Sequence, residues 1–139
     1  MVVPRRRVNL DNRPTMNPLS TTSPSTRKAF NWAIGPIDFD ADWPQIDRLL
    51  SEEDWPFTRD DIALSIGHPD AIALAARKDD ELLGFILAHH FGPVAYLDMA
   101  IVGHEHRTTR VVVHLWLQAS ELLSSRGLNS MVSHGTIAG

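Results

Sequence analysis

The residues with the clearest capacity for chemistry lie in the polar loop GHEHRTTR, which precedes the apolar run VVVHLWLQASELL. Guanidinium groups hold phosphates through charge-assisted hydrogen bonds, and hydroxyl groups add further donors. If the run is a helix, its first turn offers unpaired N–H groups and a partial positive charge to the same anion. The loop therefore predicts a pyrophosphate site, and the alternative is an ordinary solvated helix cap. The candidate ligands are Arg107, Thr108, Thr109, Arg110, Val111 and Val112.

A second group of candidates lies in the apolar run VAYLDMAIV, residues 94–102, in which Asp98 is the only carboxylate. By the two-residue alternation of a strand, Tyr96, Asp98 and Ala100 share one face, which we expect to look into a cleft. A carboxylate buried there must be paired or have a shifted pKa, which suits a general base. The alternative is that an arginine or histidine pairs with Asp98 for structural reasons alone.

Histidines are rival bases. His89 and His90 are adjacent in an apolar run, so in a strand they point to opposite faces and at most one of them faces the cleft. His134 lies near the end of the last apolar segment. We therefore predict three catalytic candidates, namely Asp98, Tyr96 and His134.

The sequence has no cysteine, which excludes a disulfide framework, a thiol nucleophile and a zinc site built on thiolates. His104 and His106 flank Glu105 in the polar loop, but alternating loop residues without a fixed partner are usually exposed. We therefore expect no metal site.

Charge divides the chain into two parts. Residues 1–28 carry six basic residues and one acidic residue, a net charge of +5; the total is −4, so the remainder carries −9. The basic part is rich in Pro, Ser, Thr and Asn without an apolar period, which predicts a disordered tail before one domain at residues 29–139. Met16 is an alternative start to Met1. The acidic body argues against a nucleic-acid partner.

Hydrophobic patterning predicts α/β architecture with a mixed sheet. Phe30, Trp32 and Ile34 alternate as in a strand that Gly35 and Pro36 disturb, and residues 37–55 have helical spacing with Asp42 as the cap and Pro44 in the first turn. Residues 58–67 form a second short helix with a capping box, ended by a glycine.

The second half of the chain alternates between strands and one long helix. Residues 71–91 are two apolar runs joined by KDDE, which predicts an antiparallel hairpin, and residues 94–102 predict a third strand. A helix from about residue 111 ends at Arg126-Gly127, and the following segment 128–136 predicts a strand parallel to 94–102. No apolar run is long enough to span a membrane, and no apolar segment follows the basic N-terminus, so we expect a cytoplasmic protein.

This order of elements resembles the GNAT N-acetyltransferase superfamily over residues 30–135. The segment VGHEHRTTRVVVHLWLQASELLSSRG is similar to that family's cofactor segment, Arg-x-x-Gly-x-Gly or Ala at a helix start. Arg107 matches the first position, whereas Arg110 and Val112 replace the glycines. Glycine lets backbone amides approach a pyrophosphate and permits a positive φ, so we expect arginine side chains to compensate.

The resemblance implies acetyl-CoA or another acyl-CoA as the co-substrate. It also implies that strand 94–102 diverges from the parallel strand, so that Ala100, Ile101 and Val102 pair with the pantetheine arm. Family members usually continue with a further helix and hairpin, and that helix often carries a tyrosine that protonates the departing thiolate. Those elements are not matched here, so the usual general acid has no counterpart.

The predicted function is that of an N-acyltransferase, which moves an acyl group from acyl-CoA to a primary amine of a small molecule or peptide. The alternative is a catalytically inactive GNAT-fold adaptor that acts through protein contact at an open sheet edge. The same edge would allow a homo-oligomer or a partner chain to add a strand.

Overall fold

The computed structural model describes residues 31–128 and 130–138, the last six of these by their backbone alone. Within them, five strands form one mixed sheet in the order β1-β2-β3-β4-β5. β5 is parallel to β4, and the other neighbours are antiparallel. The predicted mixed sheet is confirmed. The strands are β1 Ala33–Pro36, β2 Ile72–Lys78, β3 Glu81–Phe91, β4 Val94–Val102 and β5 Met131–Ala138.

Helices cover both faces of the sheet. α1 (Phe39–Glu52) and α2 (Arg59–Gly67) pack on one face, here called the α1/α2 face, and α3 (Val111–Ser125) packs on the other, the α3 face. A short 3-10 helix, His104–Thr109, links β4 to α3. Each face has its own buried apolar core, so the sheet lies between two layers of helix.

Local sequence signals account for most element ends. Thr58 and Asp61 form the predicted capping box of α2, each side chain bonded to the other residue's backbone. The hairpin of β2 and β3 turns at Asp79-Asp80, and Asp79 has a φ of 57°. Gly127, with a φ of 86°, follows α3 as predicted.

The prediction that Asp42 caps the first helix is wrong. The N-cap is Asp38, whose carboxylate accepts from the N–H of Ala41, and α1 begins four residues earlier than the Asp42 cap implied. Asp42 is instead buried in the first turns, where it accepts from the N–H of Asp38 and from both terminal nitrogens of Arg77. Nothing in the local pattern pointed to Arg77, which is 35 residues away in the chain.

The first strand contains the two residues that were expected to disturb it. β1 runs through Gly35 and ends at Pro36. Proline is tolerated because β1 is the edge strand and needs no donor on its outer side. Phe30 and the predicted tail, residues 1–28, lie outside the described residues, as does the boundary at residue 29. In the described part of the chain, no helix combines the length and apolar character that a membrane span requires.

Candidate active site

The pairing of β4 with its neighbours is irregular at Asp98, in the middle of the strand. Leu97 and Met99 pair with consecutive residues of β3, so Asp98 is an extra residue on β4. On the β5 side, the same two residues lie opposite Ser133 and Thr136. Asp98 is therefore skipped in the pairing of β4 with β3 and in its pairing with β5. Such a bulge takes a residue out of the regular ladder and redirects its side chain.

Because of the bulge, the prediction that Tyr96, Asp98 and Ala100 share one face of the strand is wrong. Tyr96 and Asp98 share the α1/α2 face, where both contact His89. Ala100 is buried in the core of the α3 face, while Met99 belongs to the opposite core. One extra residue shifts the alternation of the strand, so every residue beyond Asp98 changes sides.

The open edge that the family resemblance implied is also absent from the described strands. Ala100 lies opposite Ile137 and Ile101 lies opposite Ala138, because β5 continues alongside β4 and pairs with its backbone. The irregularity between β4 and β5 lies further back, at Asp98. A role for Ala100, Ile101 and Val102 in cofactor binding stays a prediction.

Asp98 forms a close pair with His89. The Nδ1 atom of His89 lies 2.7 Å from Oδ2 of Asp98, and both side chains are partly buried. His89 is near the end of β3, directly opposite Tyr96 in the register. The structural pairing considered for Asp98 thus exists, and it joins two of the candidate bases into one unit. An aspartate in this position fixes the tautomer and orientation of the imidazole, and the pair can accept a proton together.

Rings hold the imidazole of His89 in place. Tyr96 stacks on it at 5.6 Å with planes only 24° apart, and His68 and Phe91 approach at 5.0 Å and 4.8 Å. His68 follows α2, and its Nδ1 accepts from the N–H of Asp70. The end of α2 and two strands therefore position one histidine.

A cleft of about 400 Å³ opens beside Asp98 on the α1/α2 face. Its floor is β4, and its walls are α2 and the loop between α1 and α2. Such a volume suits a small ligand. The lining consists of four apolar residues, one hydroxyl and two carboxylates: Pro56, Phe57, Ile62, Met99, Ser65, Asp61 and Asp98.

The other histidine predictions have mixed outcomes. His89 faces Asp98, whereas His90 contacts the carbonyl of Gly92 and lies 3.8 Å from Asp70, so one of the two reaches the cleft side as expected. His134 lies in β5 between the residues opposite Leu97 and Met99, which places its backbone beside the bulge. Its side chain is outside the described ones, and its catalytic role stays a prediction.

The backbone N–H groups at the start of α3 are suitably placed to bind an anion. Arg110 is the N-cap residue, with a φ of 64° and a ψ of 22°. Among the described residues, no side chain caps α3 and no acidic residue lies in its first turn. α1 and α2, in contrast, have capping side chains and acidic first turns. Val112 lies inside the helix and does not have a positive φ, so its β-branched side chain causes no backbone strain.

Arg107 does not extend into solvent. Its Nε donates to the carbonyl of Val102 at 3.0 Å, and its terminal nitrogen pairs with the carboxylate of Glu53 just after α1. His104 also bonds Glu53, at 2.7 Å. The hydrogen bond to His104, together with Arg107, holds the pKa of Glu53 below its usual value. Arg107 thus connects the loop to the end of α1. A phosphate would have to compete with Glu53 for the guanidinium group of Arg107.

The remaining loop residues lie at the surface. Thr109 donates its hydroxyl to the carbonyl of His106, and Thr108 is exposed. His106 contacts Glu81 at 3.0 Å, and with Glu105 these residues bring three donor atoms within 4.8 Å of one another. The cofactor role of the threonines and the absence of a metal site both stay predictions.

Comparison with known proteins gives the family. Residues 38–138 match the family described as "Acetyltransferase (GNAT) family". The chain belongs to the GNAT acetyltransferase family. Acyl transfer from CoA to an amine is the corresponding activity, and the comparisons do not favour the inactive adaptor. A search among curated proteins gave no match.

Solved GNAT structures share the fold. One is a ribosomal-protein-alanine N-acetyltransferase from Brucella melitensis biovar Abortus 2308, 18% identical, covering 76% of this chain and 79% of that one with a TM-score of 0.62. An aminoglycoside 6'-acetyltransferase type Ii is 24% identical, with coverages of 73% and 70% and a TM-score of 0.63. A PaiA N-acetyltransferase from Thermoplasma acidophilum, crystallised with coenzyme A, is 17% identical, with coverages of 70% and 74% and a TM-score of 0.59.

Sequence reasoning missed two parts of this GNAT site. A histidine partner for Asp98 was foreseen as an alternative, but the choice of His89 depends on the register of β3 against β4, which no local pattern encodes. Phe57 and Ile62 are ordinary apolar residues in their own segments, and they become cleft residues only when α2 lies over β4. The single charge in an otherwise apolar strand was the signal that did find Asp98.

Proposed function

We propose that this GNAT protein transfers an acetyl or similar acyl group from acyl-CoA to a primary amine bound in the cleft beside Asp98. The observation that carries the proposal is the position of Asp98. It lies in a bulge of β4, pairs with His89 and contributes a carboxylate to the lining of a cleft of about 400 Å³. A carboxylate there attracts an ammonium group and can take its proton.

The backbone at the start of α3 supports binding of the acyl-CoA pyrophosphate. Its first-turn N–H groups have no side-chain cap among the described residues, and Arg110 adds a cation at the N-cap. Two similar structures, the PaiA N-acetyltransferase and an aminoglycoside 6'-N-acetyltransferase, are complexes with coenzyme A. Arg110 and the amides of the first turn are the best-placed ligands, because Arg107 already bonds Glu53.

The nitrogen must lose two protons between the ammonium form and the amide. We propose that Asp98 and His89 accept the first, which frees the lone pair of the amine. The neutral amine then attacks the thioester carbon, a C–N bond forms and the C–S bond breaks. The second proton leaves the nitrogen in this step and ends on the departing thiolate, carried by water or by Tyr96, which stacks on His89. At the bulge, backbone groups outside the regular ladder can bond the carbonyl oxygen of the thioester.

The test has a binding stage and a turnover stage. Titration calorimetry with acetyl-CoA should show saturable heat; no heat up to millimolar ligand would contradict the proposal. For turnover, free CoA can be measured with a thiol reagent, since the chain has no cysteine of its own. Asp98→Asn should lower kcat about 100-fold, within the range for a general base, while acetyl-CoA binding stays the same. Asp60→Asn is the matched control, an exposed carboxylate that does not line the cleft.

Two finer statements are also proposals. We propose that the outer edge of β5, which bonds only β4 among the described strands, can accept a strand from a second chain. Light scattering over a range of concentrations tests this, and a strictly monomeric protein would contradict it. We also propose a cytoplasmic location, which cell fractionation can check.

A further inference from the structure

The cleft beside Asp98 is mainly apolar at its floor and on one wall. Ile62 and Met99, which are 1% and 4% exposed, are two of its apolar lining residues. Phe57 is 37% exposed and stands at the rim with Pro56. A ligand that fills this space therefore contacts an aromatic ring and aliphatic groups over much of its surface.

The same cleft offers few partners for ligand hydroxyl groups. Among the described residues that line it, Ser65 is the one neutral polar side chain, and no amide or basic side chain is present. One oxygen of Asp61 already accepts from the N–H of Thr58 at 2.7 Å. A polyhydroxylated amine placed here would replace only some of the hydrogen bonds to water that it loses, which lowers its affinity.

Negative charge is concentrated beside these apolar walls. Asp98 and Asp61 are both acidic and line the same cavity, so a cationic group is favoured there over a neutral or anionic one. Asp98 is anchored by His89, which fixes where the ammonium group must lie. Met99, Ile62 and Phe57 are the apolar lining left for the rest of such a ligand.

We infer that the acceptor of this enzyme is a primary amine on a short linker attached to a compact apolar or aromatic group. The inference rests on the proposed function and specifies its substrate class. It separates this chain from the aminoglycoside acetyltransferases that share its fold, because an aminoglycoside needs many hydrogen-bonding partners. A linear diamine is also a poorer fit, since its chain buries less area against Phe57.

The test compares matched amines at saturating acetyl-CoA. 2-Phenylethylamine, ethylamine, 1,4-diaminobutane and neamine serve as acceptors, and release of CoA gives kcat/KM for each. We expect the value for 2-phenylethylamine to exceed those for ethylamine and 1,4-diaminobutane at least about tenfold, the usual worth of a filled apolar pocket. Neamine should be the poorest acceptor. A preference for 1,4-diaminobutane or neamine would overturn the inference.

A pair of variants connects the preference to the cleft. Phe57→Ala removes an exposed ring at the rim, so folding should be preserved. It should lower kcat/KM for 2-phenylethylamine about tenfold and change the value for ethylamine less than twofold. Leu64→Ala is the control, since Leu64 is 76% exposed on α2 and does not line the cleft. Equal effects on both amines would contradict the inference.

Failure of the inferred acceptor class and failure of the proposed function give different experimental results. If acetyl-CoA binds but 2-phenylethylamine is not acetylated, the acceptor class is wrong and the proposed function stands. If calorimetry detects no acetyl-CoA binding, the proposed function itself is wrong, and the acceptor class falls with it.

Discussion

The residue types indicate which chemistry this site can perform, but the contacts of each side chain determine its role. Arg107 matches the family's first motif position, yet its guanidinium bonds Glu53 and the backbone of Val102. Arg110 stands in place of glycine and takes the left-handed conformation that glycine favours. The two arginines of this loop thus have different roles: Arg107 connects two elements, and Arg110 is the N-cap residue of α3.

Replacement of Arg110 by glycine should stabilise the protein. Its φ of 64° is costly for a residue with a Cβ atom, so Arg110→Gly should raise the free energy of unfolding by about 1 kcal/mol. The same change removes the cation at the N-cap, and acetyl-CoA affinity should fall if the side chain holds the pyrophosphate. Urea denaturation and calorimetry measure the two effects.

Arg110→Lys is the control for this change. It keeps both the charge and the Cβ atom, so it should change stability by less than about 0.5 kcal/mol. A glycine variant that is less stable than the wild type would contradict the left-handed conformation of Arg110.

At the scale of elements, close packing of neighbouring strands predicts one severe substitution. A Cβ atom added to Gly84 in β3 would lie 2.7 Å from the carbonyl oxygen of Ile101 and 2.9 Å from Cγ2 of Val102, both in β4. Gly84→Ala should therefore destabilise the protein by about 1 to 3 kcal/mol, since backbone must shift. Thermal or urea denaturation measures the loss.

Gly35→Ala is the matched strand control. The structure places nothing within 4 Å of an added Cβ atom at Gly35 among the described residues. We expect its effect to stay within about 0.5 kcal/mol. Equal losses for the two variants would show that the contact with β4 is not the cause.

The sequence predicts elements well where the signal is local. The capping box of α2, the two-residue turn at Asp79-Asp80 and the bounds of β4 all follow from adjacent residues. The parallel pairing of β5 follows from the order of elements. Features that depend on distant partners were not predictable: the Asp42–Arg77 pair and the cleft wall require the packing of helices on the sheet, and the bulge at Asp98 requires the register of β4 against β3.

At the scale of the whole molecule, Asp42 and Glu53 are carboxylates that join separate elements in the described part of the chain. Asp42 ties α1 to β2 through Arg77, which also bonds the carbonyl of Pro36 in β1. Burial alone would raise the pKa of Asp42, but hydrogen bonds from Arg77 and Asp38 lower it below the usual value. Glu53 ties the end of α1 to the loop after β4, and its pKa is also lowered.

These pairs make stability dependent on acid pH. A carboxylate whose pKa is lower in the folded state contributes stability above its unfolded pKa and loses it as pH falls through the folded pKa. The ordinary values are 3.8 for Asp42 and 4.5 for Glu53, so the free energy of unfolding should fall steadily below about pH 4.5. Urea denaturation at pH 7, 5, 4 and 3 measures this slope.

The double variant Asp42→Asn, Glu53→Gln tests the origin of the slope. It should be less stable at pH 7, by about 2 kcal/mol or more, because Arg77 loses a buried charged partner. Its stability should also vary less with pH between 5 and 3 than that of the wild type. An unchanged slope would assign the acid sensitivity to other groups.

The bulge at Asp98 also reverses, between the two halves of β4, which alternate side chains face α3. Residues before it place their odd-numbered side chains against α3, and residues after it place their even-numbered ones there. Removing Asp98 alone would restore a regular alternation in which Met99 and Ile101 keep their present core, whereas a deletion elsewhere in the strand would move the residues beyond it to the other face. A one-residue deletion should therefore be tolerated better at Asp98 than elsewhere in β4, and an alignment with a strand that lacks the bulge needs a gap here to keep each downstream side chain in its own core.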